Sequence, residues 1–357
     1  MVDSTITGSL AGVGFSLQCD ASDLAEYARQ HLNAMPAEST APLVHARLRW
    51  HEGQPRSGLR AEAERRGLER VDRDLYVSAD ELLWVRVDDL RDLHLRLRWN
   101  GDELHVDGDY YHRLGNTQAS DALRRIRQWP NRQQLRRRRF PTLLAYLVYY
   151  PCWFWLEQLR GMHPIHAAAA KIGDECILLA GASGIGKSTL SVGLALAPGA
   201  QLLADSFVLH RGTLISPVRE PILLDSFSRT WLGSKMSELK KLDHQYGLGR
   251  CGYSLAANRW ADASRATLLV FPRRSNQSYT RRISAELAHR RLSGGNLIIN
   301  DLRRYWAFAA VLEQVKPCGL VAQREAELAE LTRRVPCYDF GVAKGSSCED
   351  SVATLLG

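Results

Sequence analysis

The stretch GASGIGKST, Gly181 to Thr189, decides how this chain is read. Its main chain from Gly181 through Ala182, Ser183, Gly184 and Ile185 to Gly186 can turn several N–H groups towards one ring of phosphate oxygens. Lys187 then places a cation beside that ring, and the Ser188 hydroxyl suits Mg²⁺. Thr189 carries the chain on into a helical pattern. Upstream, ECILLA (Glu175 to Ala180) is a short apolar run of the kind a buried strand shows. Downstream, KSTLSVGLALA (Lys187 to Ala197) has helix formers and apolar spacing. The loop therefore opens a helix, whose N-terminus carries partial positive charge and unpaired N–H groups. Strand, glycine loop and helix in that order predict an α/β unit that binds the phosphates of a nucleotide.

Working outward, the 357 residues suffice for a large core and predict two units. The formal charge of +8 suits anionic ligands without implying nucleic acid. The seven cysteines are dispersed and form no Cys-x-x-Cys pair, which argues against a metal knuckle and for reduced thiols in a cytoplasmic protein. The opening MVDSTITGSL lacks the basic-then-apolar pattern of a leader. TLLAYLVYYPCWFWLEQL (Thr142 to Leu159) is very apolar and follows Arg136 to Arg139. A spanning helix needs about 20 apolar residues. Pro151 interrupts this run and Glu157 comes soon after, so it is read as a buried helix with no membrane span. Attraction of the four arginines to anionic lipid is the lesser alternative.

Residues 1–130 read as a smaller α+β domain, a candidate for substrate or partner binding. VGFSLQC (Val13 to Cys19) and LVHARLRW (Leu43 to Trp50) are expected strands, and Asp20 to Met35 an expected capped helix. In LHLRLRWNGDELHV (Leu93 to Val106), Leu93, Leu95, Leu97 and Trp99 share one face, and His94, Arg96 and Arg98 the other. Asn100-Gly101 is expected to be its two-residue hairpin turn. The basic bridge Arg124 to Phe140, with Pro130 inside it, marks the expected boundary. Residues 131–357 form the predicted nucleotide-binding domain. Its expected strands are Gln201 to His210, Thr213 to Val218 and Ala266 to Pro272. Helices are expected over 283–292, 301–315 and 324–335.

Phosphoryl transfer needs positioned phosphates, a metal and a group to accept the proton of the attacking hydroxyl. Asp205, at the end of the apolar QLLA, is the candidate carboxylate, as base or as metal ligand. Strand-end carboxylates in such sheets face the crevice that holds ligands. Arg219 is a candidate phosphate clamp, though a surface arginine is the plainer reading. Phe271 to Arg282 is read as a solvated arginine-rich loop, with substrate contact as an alternative.

PIHAAAAKIGDECILLAGASGIGKSTLSVGLALAPGAQLLADSFVL resembles the catalytic core of HPr kinase/phosphorylase and its relatives, which include peptide-tailoring kinases. The resemblance extends from His163 to Asp225 and, more weakly, to the C-terminus. His166 stands where that family carries a His before the first strand, and Gly181 to Ser188 match its loop. Asp205 matches the first residue of the family's Asp-Asp pair. Ser206 replaces the second, which leaves Ser206, Glu220 or Asp225 to take up part of that pair's task. The part before the core looks more like that of HPr-kinase-related proteins found near peptide-modifying genes. The resemblance implies ATP and Mg²⁺ as cofactors. It implies Asp205, His166 and Lys187 as catalytic residues, with Ser188 and Asp205 at the metal. It implies a hydroxyl acceptor on a peptide, protein or small molecule. The alternative is a nucleotide-binding regulatory module or NTPase without phosphotransfer. Nucleic-acid binding by the bridge arginines lacks a stacking pattern or DNA-reading motif.

Overall fold

The computed structural model describes residues 5–35, 41–55, 58–87, 89–114, 117–127, 131–246 and 249–356. The chain is a mixed α/β protein that divides into two compact units. The first comprises Met1–Gln30, Pro36–Trp155 and Trp306–Cys318. The second comprises His31–Met35, Leu156–Tyr305 and Gly319–Gly357. Pro130 lies outside the described residues, and residues 131 to 155 group with the first unit.

The first unit is built on one eight-stranded sheet. Its strands are β1 (Thr5–Leu10), β2 (Val13–Cys19), β3 (Pro42–Glu52), β4 (Glu69–Asp72), β5 (Leu75–Val77), β6 (Glu81–Trp84), β7 (Leu93–Asn100) and β8 (Glu103–His112). They lie in the order β1-β2-β3-β8-β7-β6-β5-β4. Helix α1 (Ser22–Leu32) makes the crossover between the parallel β2 and β3. The remaining helices up to the second unit are α2 (Leu59–Arg65), α3 (Gln118–Arg127), α4 (Arg132–Arg137), α5 (Phe140–Leu144) and α6 (Tyr150–Arg160). Leu93, Leu95 and Leu97 are fully buried, as their alternation requires. The opposite face is not a free basic surface. His94 is buried, Arg96 meets Glu62 and Glu81, and Arg98 meets Asp107. The hairpin turn sits one residue later than expected. Asn100 still pairs with Glu103, so Gly101 and Asp102 make the turn, with φ +62° at Gly101. Positive φ at the first turn residue alone is the Gly-first hairpin choice.

The apolar run after the arginines is core. Phe140 to Leu156 are buried apart from the exposed Pro141 and the half-buried Thr142 and Ala145. Gly108 on β8 leaves room for Leu147: a Cβ there would stand 3.3 Å from its side chain. The helix does not break at Pro151. One wider turn, Ala145–Tyr149, has π-helical bonding immediately before α6, with the Tyr150 amide donating to the Ala145 carbonyl, next to Pro151, which has no amide to give. Arg136 is held by Asp23 and Glu52 and lies 4.0 Å over the Trp50 ring. Among the described residues no helix is long and apolar enough to cross a membrane.

The second unit carries three sheets. Its strands are β9 (His163–Ile165), β10 (Ala167–Ile172), β11 (Glu175–Ala180), β12 (Ala200–Ala204), β13 (Val208–Arg211), β14 (Leu214–Pro217), β15 (Ile222–Leu224), β16 (Lys240–Tyr246), β17 (Arg250–Ser254), β18 (Ser264–Arg265), β19 (Leu268–Ser275), β20 (Tyr279–Ile283) and β21 (Cys337–Ala343). The helices are α7 (Lys187–Ala195), α8 (Ser226–Leu232), α9 (Ala285–Ile298), α10 (Asn300–Leu312), whose residues from Trp306 on group with the first unit, α11 (Leu320–Arg334) and α12 (Cys348–Leu356). The main sheet runs β12-β10-β11-β19-β21-β20, with β11, β19 and β21 parallel. Ala167 to Ala170 on β10 are wholly buried and alternate between two cores. Ala168 and Ala170 face the α7 side with Leu190 and Val192. Ala167 and Ala169 face the side of α9 and α11 with Leu292 and Leu331. Methyl-sized side chains let both layers approach this interior strand closely.

Two expectations are corrected here. Gln201 to His210 is two strands, because β12 pairs with β10 whereas β13 pairs with β9 and β14 in another sheet. The chain changes sheets across Asp205, Ser206 and Phe207. Phe271 to Arg282 is not a loop but most of β19 and β20, both paired to β21. Its Arg273 and Arg281, together with Arg291, meet the buried Asp339 carboxylate at 3.4, 3.0 and 2.6 Å.

Candidate functional site

The loop between β11 and α7 places its glycines where side chains would be strained. Gly181, Gly184 and Gly186 have φ of +140°, +79° and +102°. Gly186 is the residue before α7, so the helix begins at Lys187. The Lys187 ammonium is buried and donates to the carbonyls of Gly181 at 2.9 Å and Ala182 at 3.0 Å. Burial lowers its pKa to about 8, against the opposing pull of the Asp205 charge.

Asp205 leaves β12 at the same end of the sheet. Its side chain is 1% exposed. Oδ2 accepts from the Leu223 amide at 3.4 Å, and Oδ1 has no partner in hydrogen-bonding geometry. Burial raises the pKa to about 6, opposed by the neighbouring Ser188 hydroxyl, the Leu223 amide and the charges of Lys187 and Arg250. An orphaned carboxylate oxygen next to the first-turn serine of α7 fits Mg²⁺. That ion commonly takes one or two carboxylates, with substrate phosphates and water completing its shell. Among the described residues there is no group of three or more His, Cys, Asp or Glu that could hold a metal ion.

His166, between β9 and β10, is fixed through its backbone: its amide donates to Asn296 Oδ1 at 3.0 Å. Its ring lies 5.3 Å from that of Phe207. Burial first, then the Lys187 charge, lowers its pKa to about 3, opposed by a contact with the Ser206 main chain. The imidazole is neutral at pH 7.

These groups meet a cavity of about 650 Å³. His166, Ser183 to Leu190 and Ser206 line one side, whereas Asp205 lies behind the lining. The other walls come from β15, α8, β17, β19 and the turn after β21. Four basic residues, Lys187, Arg250, Arg274 and Lys344, face it with one acidic residue, Asp225. A cavity of that charge attracts a polyanion. Asp225 is the N-cap of α8: its Oδ1 accepts from the Ser228 amide at 2.8 Å. That bond, ahead of the opposing effect of burial, holds its pKa below the ordinary carboxylate value.

The structure thus brings Gly181 to Thr189, His166, Asp205, Ser206 and Asp225 together. It does not bring Arg219 with them, because its guanidinium turns to the Ala261 carbonyl at 3.3 Å and to Asp262 at 3.1 Å. Glu220 does not line the cavity either. Sequence reasoning missed Arg250, Lys344, Phe227 and Trp231, and reached Arg274 only through the alternative of substrate contact for Phe271 to Arg282. They arrive from separate elements and carry no local spacing signal.

No family model matches the sequence, and no curated protein is significantly similar to it. Among solved structures, the HPr(Ser) kinase/phosphatase from Coxiella burnetii is similar over 54% of this chain and 88% of that one, at 13% identity and a TM-score of 0.25.

Proposed function

We propose that this chain is an ATP-dependent kinase that moves the γ-phosphoryl group to a hydroxyl of a peptide, protein or small-molecule acceptor. The observation that carries the reading is Asp205. It is a buried carboxylate with a pKa raised to about 6 and one unpartnered oxygen, beside Lys187 and Ser188 at the start of α7. A carboxyl group with that pKa is ionised at pH 7 yet more basic than an ordinary aspartate, which suits a proton acceptor.

In this reading the main chain of Gly181 to Thr189 wraps the phosphates. Lys187 turns from the Gly181 and Ala182 carbonyls towards the β- and γ-phosphate oxygens. Ser188 and Asp205 would hold Mg²⁺, which when bound neutralises charge across those phosphates. His166 is neutral, so it contributes as a hydrogen-bonding group at the cavity wall and not as a cation. The order of His166, glycine loop and Asp205 in the sequence, which resembles that of HPr-kinase-like enzymes, supports the same reading.

A second reading is a nucleotide-binding regulatory module or NTPase without transfer. The position of Ser206 favours it, since a serine rather than a carboxylate faces the cavity while Asp205 lies behind it. Incubation with γ-labelled ATP, Mg²⁺ and Ser/Thr/Tyr-containing peptides, beside a hydrolysis control, separates the two. Label on an acceptor, lost in Asp205→Asn, supports the kinase. Nucleotide binding with phosphate release only, or with no turnover, supports the module.

A further inference from the structure

We propose that the rim of this cavity contains a nucleobase subsite in which Phe227 stacks on the base of the bound nucleotide and Arg274 flanks it. The inference rests on the phosphate-loop reading and deepens it.

Phe227 stands apart from the other aromatic side chains. It is 62% exposed, and among the described residues it is the one aromatic in the set of exposed large hydrophobic side chains. Leaving a phenyl ring in water forgoes the burial that stabilises the others. The helical turn that carries the ring is nevertheless held in place. Asp225 caps the first turn of α8 through the Ser228 amide. Ser228 Oγ lies 2.7 Å from Thr189 Oγ1, which ties that turn to the loop-proximal turn of α7. Trp231, one turn after Phe227, donates from Nε1 to the Ser346 carbonyl at 2.9 Å and fixes the turn after β21. Both aromatic residues line the cavity.

The direction of a nucleotide comes from the loop. Lys187, and Ser188 through Mg²⁺, belong to the β/γ end, which leaves the next main-chain amide of the first turn, that of Thr189, for the α-phosphate. The nucleoside therefore leaves the loop on the Thr189 side. The Thr189–Ser228 contact puts Phe227 one residue away from that exit. The Arg274 guanidinium carbon is 5.6 Å from the Phe227 ring centroid, so a planar cation stands at the same place. An aromatic face and an arginine plane are the elements with which proteins hold unpaired bases.

Titration calorimetry with Mg²⁺-ATP and with Mg²⁺-tripolyphosphate tests this on the full chain. Wild type is expected to bind both. Phe227→Ala should weaken ATP about tenfold or more, by the scale of base–aromatic stacking, and leave tripolyphosphate within about twofold. Phe227→Trp should retain ATP binding, because it restores an aromatic face. An unchanged ATP affinity in Phe227→Ala overturns the subsite. So does an equal loss for both ligands, which would assign Phe227 to the shape of the phosphate loop, or a Phe227→Trp as weak as Phe227→Ala. If wild type binds neither ligand, the phosphate-loop reading itself falls and takes the subsite with it.

Discussion

Lys187 and Asp205 are buried opposite charges at the same end of the main sheet, and each sustains the ionised form of the other. The Asp205 charge raises the pKa of Lys187, and the Lys187 charge lowers that of Asp205. In both cases burial is the larger effect and wins. The ammonium falls to about 8 and the carboxyl rises to about 6. The attraction thus reduces the cost of desolvation without cancelling it, as is usual for charges taken out of water. Groups kept ionised at such a cost are a common feature of reaction sites.

The first prediction concerns Lys187→Ala. The variant loses the cation that would meet the β- and γ-phosphates, where charge builds during transfer. Transfer should fall below detection, and ATP affinity by about tenfold or more, the scale of a lost charge-assisted bond. Scanning calorimetry with and without Mg²⁺-ATP provides the check. Wild type should gain thermal stability from the ligand, by linkage, whereas the variant should gain much less. An undiminished ligand-induced gain would remove Lys187 from the phosphate site.

How much of this was legible in the sequence depends on how local the signal is. Gly181 to Thr189 was legible because strand, positive-φ glycines and helix start are consecutive residues. The β7–β8 hairpin was legible for the same reason, to within one residue at its turn. The sheet change at Asp205 was not, since it depends on β9 and β10, distant partners of β12 and β13. The cations Arg250, Arg274 and Lys344 converge only through the pairing of β17, β19 and β21 with their neighbours. The run at Thr142 to Leu159 is apolar enough to suggest lipid. Gly108, Trp50 and Trp84 show that a protein sheet is what it covers.

A second prediction tests a buried ion cluster away from the cavity. Glu157 is fully enclosed and accepts from Arg324 at 2.7 and 2.6 Å, from His163 at 2.8 Å and from the Tyr305 hydroxyl. Burial pushes the carboxyl up, but the Arg324 and His163 bonds outweigh it and the net direction is down. Arg324→Ala removes the two-pronged cation from that buried charge, leaving it the His163 and Tyr305 bonds, and should cost about 3–5 kcal/mol in urea unfolding. The native carboxylate contributes stability above the ordinary Glu range and loses it as pH falls. In the variant the buried carboxyl instead gains by protonation. The deficit should therefore be largest near pH 7 and shrink in acid. A constant deficit would assign the loss to packing.

Gly193 supports a third. A Cβ there would stand 2.7 Å from Cys348 Sγ and 3.3 Å from the Trp231 ring. Alanine is better than glycine in a helix by about 1 kcal/mol, but forcing α12 and Trp231 away should cost about 1–3 kcal/mol. Gly193→Ala should be net destabilised by denaturant melting. Adding Cys348→Ala removes the closest clash and should recover part of the loss. Additive losses in the double variant would place the strain elsewhere.

The last prediction returns to Asp205, where function and stability should separate. The native carboxyl has a pKa of about 6, raised from an ordinary 3.8. Between those values the native state binds more protons than the unfolded chain, so wild-type stability falls as pH rises from about 4 to 6. Above pH 6 the full cost is present, about 3 kcal/mol for a difference of about two pH units. Asp205→Asn keeps the shape and cannot ionise. It should be more stable than wild type at pH 7.5 by up to that amount, and the advantage should vanish near pH 4, where the wild-type carboxyl is itself protonated. The same variant should lose most phosphoryl transfer while keeping ATP affinity within a few fold, since the loop and Lys187 remain. Thermal melts from pH 4 to 8, ATP calorimetry with and without Mg²⁺, and transfer rates distinguish the cases. A stability gain with intact binding and lost transfer assigns the carboxylate to the proton. Loss of the Mg²⁺-dependent part of binding assigns it to the metal. Unchanged transfer removes Asp205 from the chemistry, and a flat stability difference across that pH range removes its ionisation from the cost of folding.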